Sequence, residues 1–144
     1  MKHLTVSTLC ALFFAVPGHA QEKVEERFMS NWDLNGNGSI TQAEVIQMRE
    51  NIFLAFDSNS DGAIDSEEYD MFDAARANDM SEVRKSDKRR MKSIVGGLAR
   101  TTTDVDGDGK VTRAEFMDTA KPWHEKLDRN GDGEVTVADF ALGD

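Results

Sequence analysis

Beyond residue 20 the sequence holds no cysteine, because Cys10 is the only one in the chain. Neither a disulfide nor thiol chemistry can contribute there. Histidine is almost as scarce: past residue 20 only His124 remains. No nucleophile–base set can be assembled from so little, and no glycine-rich phosphate loop is present. The chain therefore reads as a non-enzyme, with His124 expected on a helix surface. The one proline past residue 20, Pro122, suits a first helical turn and would break a longer helix. Long apolar runs are missing too, apart from Leu4 to Val16 near the N-terminus. That run is about 13 residues, short of the roughly 20 that span a bilayer. Lys2 and His3 precede it, and Gly18 and Ala20 stand at −3 and −1 of a cleavage site before Gln21. These features read as a secretory signal over residues 1–20 and imply a periplasmic or secreted protein. Cys10, preceded by Leu9 inside the apolar run, does not resemble a lipoprotein acylation site.

Positive charge is the next shortage. From Gln21 onward 16 basic side chains face 27 acidic ones, a formal charge of −11. Export and this balance together argue against nucleic acid as a partner. The acidity is not spread evenly. It gathers in four twelve-residue stretches that share one pattern: Asp33 to Glu44, Asp57 to Glu68, Asp104 to Glu115 and Asp128 to Asp139. Each has Asp or Asn at positions 1, 3 and 5, Gly at 6, Ile or Val at 8, and a carboxylate at 12. Calcium is a hard cation that takes six to eight oxygens at flexible distances, so a short acidic loop can wrap it. The Gly permits a sharp turn. The aliphatic at position 8 points away from the ion, where two loops can pair through a short β-bridge.

This is the EF-hand loop signature, and the chain resembles bacterial exported, calmodulin-like EF-hand proteins. The resemblance implies an all-α fold of four helix–loop–helix motifs in two paired lobes. It also implies ligands at positions 1, 3, 5, 7, 9 and 12 of each loop, position 7 through its carbonyl and position 9 often through water. Carried over, the first loop offers Asp33, Asn35, Asn37, Ser39, Thr41 and Glu44. The second offers Asp57, Asn59, Asp61, Ala63, Asp65 and Glu68. The third offers Asp104, Asp106, Asp108, Lys110, Thr112 and Glu115, and the fourth Asp128, Asn130, Asp132, Glu134, Thr136 and Asp139. The second and third loops, with four carboxylates each, read as the strongest sites. The first has only two. In the fourth, Asp139 is one methylene shorter than Glu and favours weak calcium binding or tolerance of magnesium.

Apolar residues recur at helical spacing beside the loops. Val24, Phe28, Met29 and Trp32 come before the first; Val45, Met48, Ile52, Phe53 and Phe56 lie between the first and second. Tyr69, Met71 and Phe72 follow the second, Phe116, Met117 and Ala120 the third, and Trp123 and Leu127 lead into the fourth. The Met and aromatic residues read as core. Loops one and two start 24 residues apart, as do three and four, whereas two and three start 47 apart. The intervals suggest two lobes, residues 21–80 and 81–144, each pairing consecutive loops. Only 12 residues separate the loops within a pair. Those of the first pair can form one continuous helix or two short ones, and one helix would keep its two loops from bridging each other. In the second pair a break is expected at Pro122. The third hand is weak on its entering side, where Gly96, Gly97 and Thr101 to Thr103 replace apolar helix. Almost no helix follows the fourth loop, though Phe140 and Leu142 are expected to reach the core.

Between Ser81 and Arg100 lie seven basic residues: Arg84, Lys85, Lys88, Arg89, Arg90, Lys92 and Arg100. Met91, Ile94, Val95 and Leu98 make an apolar stripe on the same stretch. A solvated helix joining the lobes is the plain reading; contact with anionic lipid through residues 84–92 is a weaker one. Reversible calcium binding, up to four ions, is the expected activity. A sensor that recruits a protein partner is favoured over a buffer or calcium-stabilised structural protein, and an accessory subunit of an exported enzyme is a third class.

Overall fold

The computed structural model describes residues 23–141. The predicted signal, its cleavage site before Gln21 and Leu142 lie outside them. Among the described residues eight helices follow in order. They are α1 (Val24–Trp32), α2 (Gln42–Phe56), α3 (Ser66–Glu82), α4 (Lys88–Gly96), α5 (Arg100–Thr103), α6 (Arg113–Asp118), α7 (Ala120–Leu127) and α8 (Val137–Ala141). Two strands, β1 (Ala63–Ile64) and β2 (Val111–Thr112), make one small sheet. The described residues are all-α but for these short segments inside the loops.

Three helix starts are written into the loops themselves. At α2 the Thr41 hydroxyl accepts from the Glu44 N–H at 3.3 Å, while the Glu44 carboxylate accepts from the Thr41 N–H at 2.9 Å. This reciprocal capping box satisfies two donors that a helix terminus otherwise leaves unpaired. The pair Asp65 and Glu68 does the same for α3, and Thr112 and Glu115 for α6.

The loops do not pair in the order that the intervals suggest. All 15 residues of Gln42–Phe56 form one helix, about 22 Å long at 1.5 Å per residue, so loops one and two sit at its opposite ends. Loop one pairs instead with loop four: the Ile40 N–H donates to the Val135 carbonyl at 2.8 Å and the Val135 N–H returns to Ile40 at 3.0 Å. Loop two pairs with loop three, Ala63 opposite Thr112 and Ile64 opposite Val111 in antiparallel register. The expected pairing of consecutive loops is therefore corrected, and an unbroken α2 is the physical reason. The corresponding 12 residues of the second half do break, at Thr119, with Pro122 in the first turn of α7.

One buried cluster runs from Val24 to Phe140 and draws on both halves of the chain. Aromatic contacts divide it by loop pair. Near loops one and four, Trp32 meets Trp123 edge-on at 4.7 Å, and Phe28 meets Phe140 at 5.8 Å. Near loops two and three, Phe53 lies 5.9 Å from Phe116, and Phe72 touches both Phe56 and Tyr69. Midway along α2, between the two groups, lies Arg49, fully buried. Its guanidinium donates to the carbonyls of Phe116 at 2.6 Å and Gly97 at 2.8 Å, and stacks over the rings of Phe116 and Trp123. Burial lowers its pKa to about 10, still protonated at neutral pH. The apolar pattern gives no sign of this residue, because a charge in the core needs partners distant in sequence.

The weak entering side of the third hand docks through polar contacts rather than an apolar stripe. The α5 helix is a single turn. Thr103 and Leu98 are both fully buried, and the Tyr69 hydroxyl bonds the Leu98 carbonyl at 2.8 Å and Thr103 Oγ1 at 2.7 Å. Gly97 lets Trp123 approach closely; a Cβ there would lie 1.9 Å from the ring. The basic stretch is not a free connector either, since Met91, Ile94, Val95 and Leu98 all pack into the chain's own core. Phe140 reaches the core as expected, whereas Met71, read as core, is half exposed.

Candidate metal centres

Every loop is built around its first and last carboxylates. At position 1, Asp33 Oδ1 accepts from the N–H groups of Gly36 at 2.7 Å and Asn37 at 3.1 Å, and Oδ2 from Gly38 at 2.7 Å. Asp104 accepts from Gly107 and Gly109, and Asp128 from Gly131, Asp132 and Gly133. Asp57 accepts from Asp61 and Gly62. Positions 3 and 5 continue the winding. Asn35, Asn59, Asp106 and Asn130 each accept from the N–H two residues on. Asn37, Asp61, Asp108 and Asp132 do the same for the position-7 residues Ser39, Ala63, Lys110 and Glu134.

The carboxylate at position 12 closes the ring. Glu44 Oε1 accepts from the N–H groups of Leu34 and Asn35, at 3.0 and 3.2 Å, and Oε2 holds Thr41 at position 9. Glu68 joins Ser58 and Asn59 to Asp65, and Glu115 joins Val105 and Asp106 to Thr112. Asp139 achieves the same closure with a shorter arm: Oδ1 accepts from Arg129 at 2.9 Å and Asn130 at 3.1 Å, Oδ2 from Thr136 at 2.8 Å. It is drawn fully out of solvent to do so. In the second loop Asp65 is partly committed, since its Oδ1 caps α3 by accepting from Glu67 and Glu68.

These bonds favour the charged form of three of the closing carboxylates. Burial pushes Glu44 up, but the Thr41 N–H and hydroxyl, with the N–H groups of Asn35 and Leu34, outweigh it and hold the carboxyl below its usual range. Asp139 is lowered by the same balance, its burial opposed by donors from Thr136, Asn130 and Arg129. Glu115 is lowered chiefly by the Thr112 hydroxyl. In the third loop, oxygens of Asp104, Asp106 and Asp108 come within 4.8 Å of one another. Such an array of oxygen donors repels itself unless a hard cation sits among them.

Two features escaped the sequence reading. Position 4 needs a left-handed backbone: Gly36, Gly107 and Gly131 have φ near +73°, and Ser60 holds φ 58° without being glycine. The signal was present, as Gly at position 4 in three loops. Ser60 also sends its N–H to the Asp57 backbone carbonyl, at 3.3 Å, rather than to the side chain. The second is His124, expected on a helix surface but buried. Its Nε2 donates to the Ile40 carbonyl at 3.0 Å, the same oxygen that accepts from Val135. It ties α7 to the bridge between loops one and four, a contact across 84 residues that no local pattern announces.

Comparison with known proteins agrees with this geometry. The family model described as EF hand matches residues 48–73, 104–118 and 125–142. Three segments of the chain thus match the EF-hand model, and loops two, three and four lie inside them. The calcium-binding protein LPS1-alpha of Lytechinus pictus is 26% identical, over 88% of this chain and 56% of its own. Calcium-binding protein LPS1-beta of the same organism is 25% identical over 88% of this chain and 70% of its own. A recoverin family protein of Dictyostelium discoideum is 31% identical over 76% of this chain and 43% of its own. The chain thus spans about half the length of the first of these relatives. No solved structure matches it. Residues 33–44, the first loop, fall outside the matched segments, yet their hydrogen bonds follow the plan of the other three.

Proposed function

We propose that this EF-hand chain binds calcium reversibly at all four loops, and that the ions hold the fold closed. The observation that carries the reading is the repeated closure at position 12. In each loop one carboxylate spans positions 2, 3 and 9, while the position-1 carboxylate gathers N–H groups from inside the turn. Ligands are Asp33, Asn35, Asn37 and Glu44; Asp57, Asn59, Asp61 and Glu68; Asp104, Asp106, Asp108 and Glu115; and Asp128, Asn130, Asp132 and Asp139. The carbonyls of Ser39, Ala63, Lys110 and Glu134 complete them. The fourth loop, closed by Asp139, takes magnesium as well as calcium. Because loops are bridged one to four and two to three, each pair of bound ions stiffens one end of α2. Export to a periplasm or to the medium fits the signal read over residues 1–20, and an affinity on the order of 10⁻⁴ to 10⁻³ M would suit such a compartment.

A second reading, the sensor, rests on half-exposed Met71 and partly buried Met80 and Met117; thioether side chains adapt to partner surfaces. One titration separates the two. Calcium is added to the chelated chain while far-UV circular dichroism and a hydrophobic dye are followed. Rising helix content with flat or falling dye signal is the outcome expected of ion-driven closure. A rise in dye fluorescence at constant helix content would reject closure in favour of a calcium-opened surface. An unchanged spectrum and no heat of binding would reject calcium binding itself.

A further inference from the structure

An acidic chain, formal charge −10, carries one strongly basic cavity. It has a volume of about 700 Å³ and lies where α3, α4, α5, α7 and α8 meet. Arg76, Arg89, Arg90, Lys92, Lys126 and Arg129 line it, six of the seventeen basic residues. Among the described residues no carboxylate lines it. Cations gathered around one hollow repel each other, a cost that a bound anion reverses. The chain's own groups engage part of this charge, Arg89 and Arg129 included. Arg76 meets Asp73 and Arg90 meets Glu25, both at 3.3 Å, while Lys92 and Lys126 pair with no acid among the described residues. Arg76 Nε and Nη1 are moreover buried without a hydrogen-bond partner, an arrangement that native structures rarely leave unsatisfied.

The walls are not uniformly charged. Val95, Leu127 and Phe140 supply an apolar surface and Thr101 and Thr102 supply hydroxyls. The volume falls in the range of small-molecule sites, which combine apolar walls with a few placed polar groups. A flat lipid headgroup layer would meet the rim but not fill the hollow. We propose that this cavity binds a small organic polyanion, a multiply phosphorylated or sulfonated molecule with an apolar ring or chain. Leu127 and Arg129 flank Asp128, and Phe140 follows Asp139, so one wall is continuous with the fourth loop. The calcium-loaded chain is therefore the form in which the cavity is set.

The test uses hydroxypyrene trisulfonate, whose sulfonates bind calcium poorly and whose ring reports by fluorescence anisotropy. It is titrated with the full chain in saturating calcium, alongside the double variant K92E/K126E and, as a control, K121E on the same helix outside the cavity. The expected result is saturable one-to-one binding, weakened about tenfold or more in the double variant and little changed in K121E, as a localised charge site requires. Circular dichroism confirms that the exposed-site variants fold. Equal weakening by K121E would mean diffuse charge attraction and overturn the site. So would absence of saturable binding. Displacement of the probe by phosphatidylglycerol vesicles that capture the chain would also overturn it, by making this face a membrane contact.

Discussion

Single side chains set the shape of each loop. Ser60 occupies a left-handed position that the other loops give to glycine. A non-glycine residue there costs roughly 1–2 kcal/mol, against about 0.4–1 kcal/mol of unfolded-chain entropy that glycine would add. The strain is the larger effect, so Ser60→Gly is expected to stabilise the chain by up to about 1 kcal/mol, read from urea unfolding in saturating calcium. A loss of stability would mean that Ser60 is not strained. Asp139 presents the opposite case, a short carboxylate drawn fully inside to close its loop. Asp139→Glu restores the length that allows both oxygens to reach an ion and raises the coordination number toward that of calcium. Calorimetry with calcium and magnesium is expected to show selectivity shifted toward calcium at this site. Unchanged selectivity would place the preference elsewhere in the loop.

At the scale of elements, the loops and the all-α class were legible because they are local. Twelve residues carry the entire loop pattern; the capping boxes at Thr41, Asp65 and Thr112 are as local but went unread. The break near Pro122 was legible for the same reason. Which loop pairs with which was not, since the β-branched aliphatics at Ile40, Ile64, Val111 and Val135 can bridge in any combination. An unbroken α2 decides it by holding loops one and two apart. Gly97 shows the same limit. Its sequence neighbourhood reads only as poor helix, yet its hydrogen side is filled by Trp123, whose ring is fixed by Trp32 and by donation from Nε1 to the Ile94 carbonyl at 3.0 Å. Gly97→Ala is expected to cost roughly 2–3 kcal/mol, at the upper end for overpacking because neither partner can yield. Thermal unfolding measures this, and a neutral result would mean that the α4–α7 contact is looser than drawn.

For the whole molecule, the chain is two loop pairs at the ends of one shared helix, surrounding a core with Arg49 at its middle. Past residue 20 the formal charge is −11, and thirteen carboxylates occupy ligand positions; four calcium ions would cancel most of the excess. On the proposed reading closure and ion binding are one process, as expected where a site exists only in the folded chain. The most direct test follows the position-6 amides, Gly38, Gly62, Gly109 and Gly133, by ¹⁵N-edited NMR during a calcium titration. Each donates to the position-1 carboxylate of its loop, at 2.7 to 3.1 Å, so an ion on that carboxylate polarises the bond and shifts the resonance. The account predicts that all four amides move and saturate. Four glycine resonances that stay in place at every calcium concentration would contradict it.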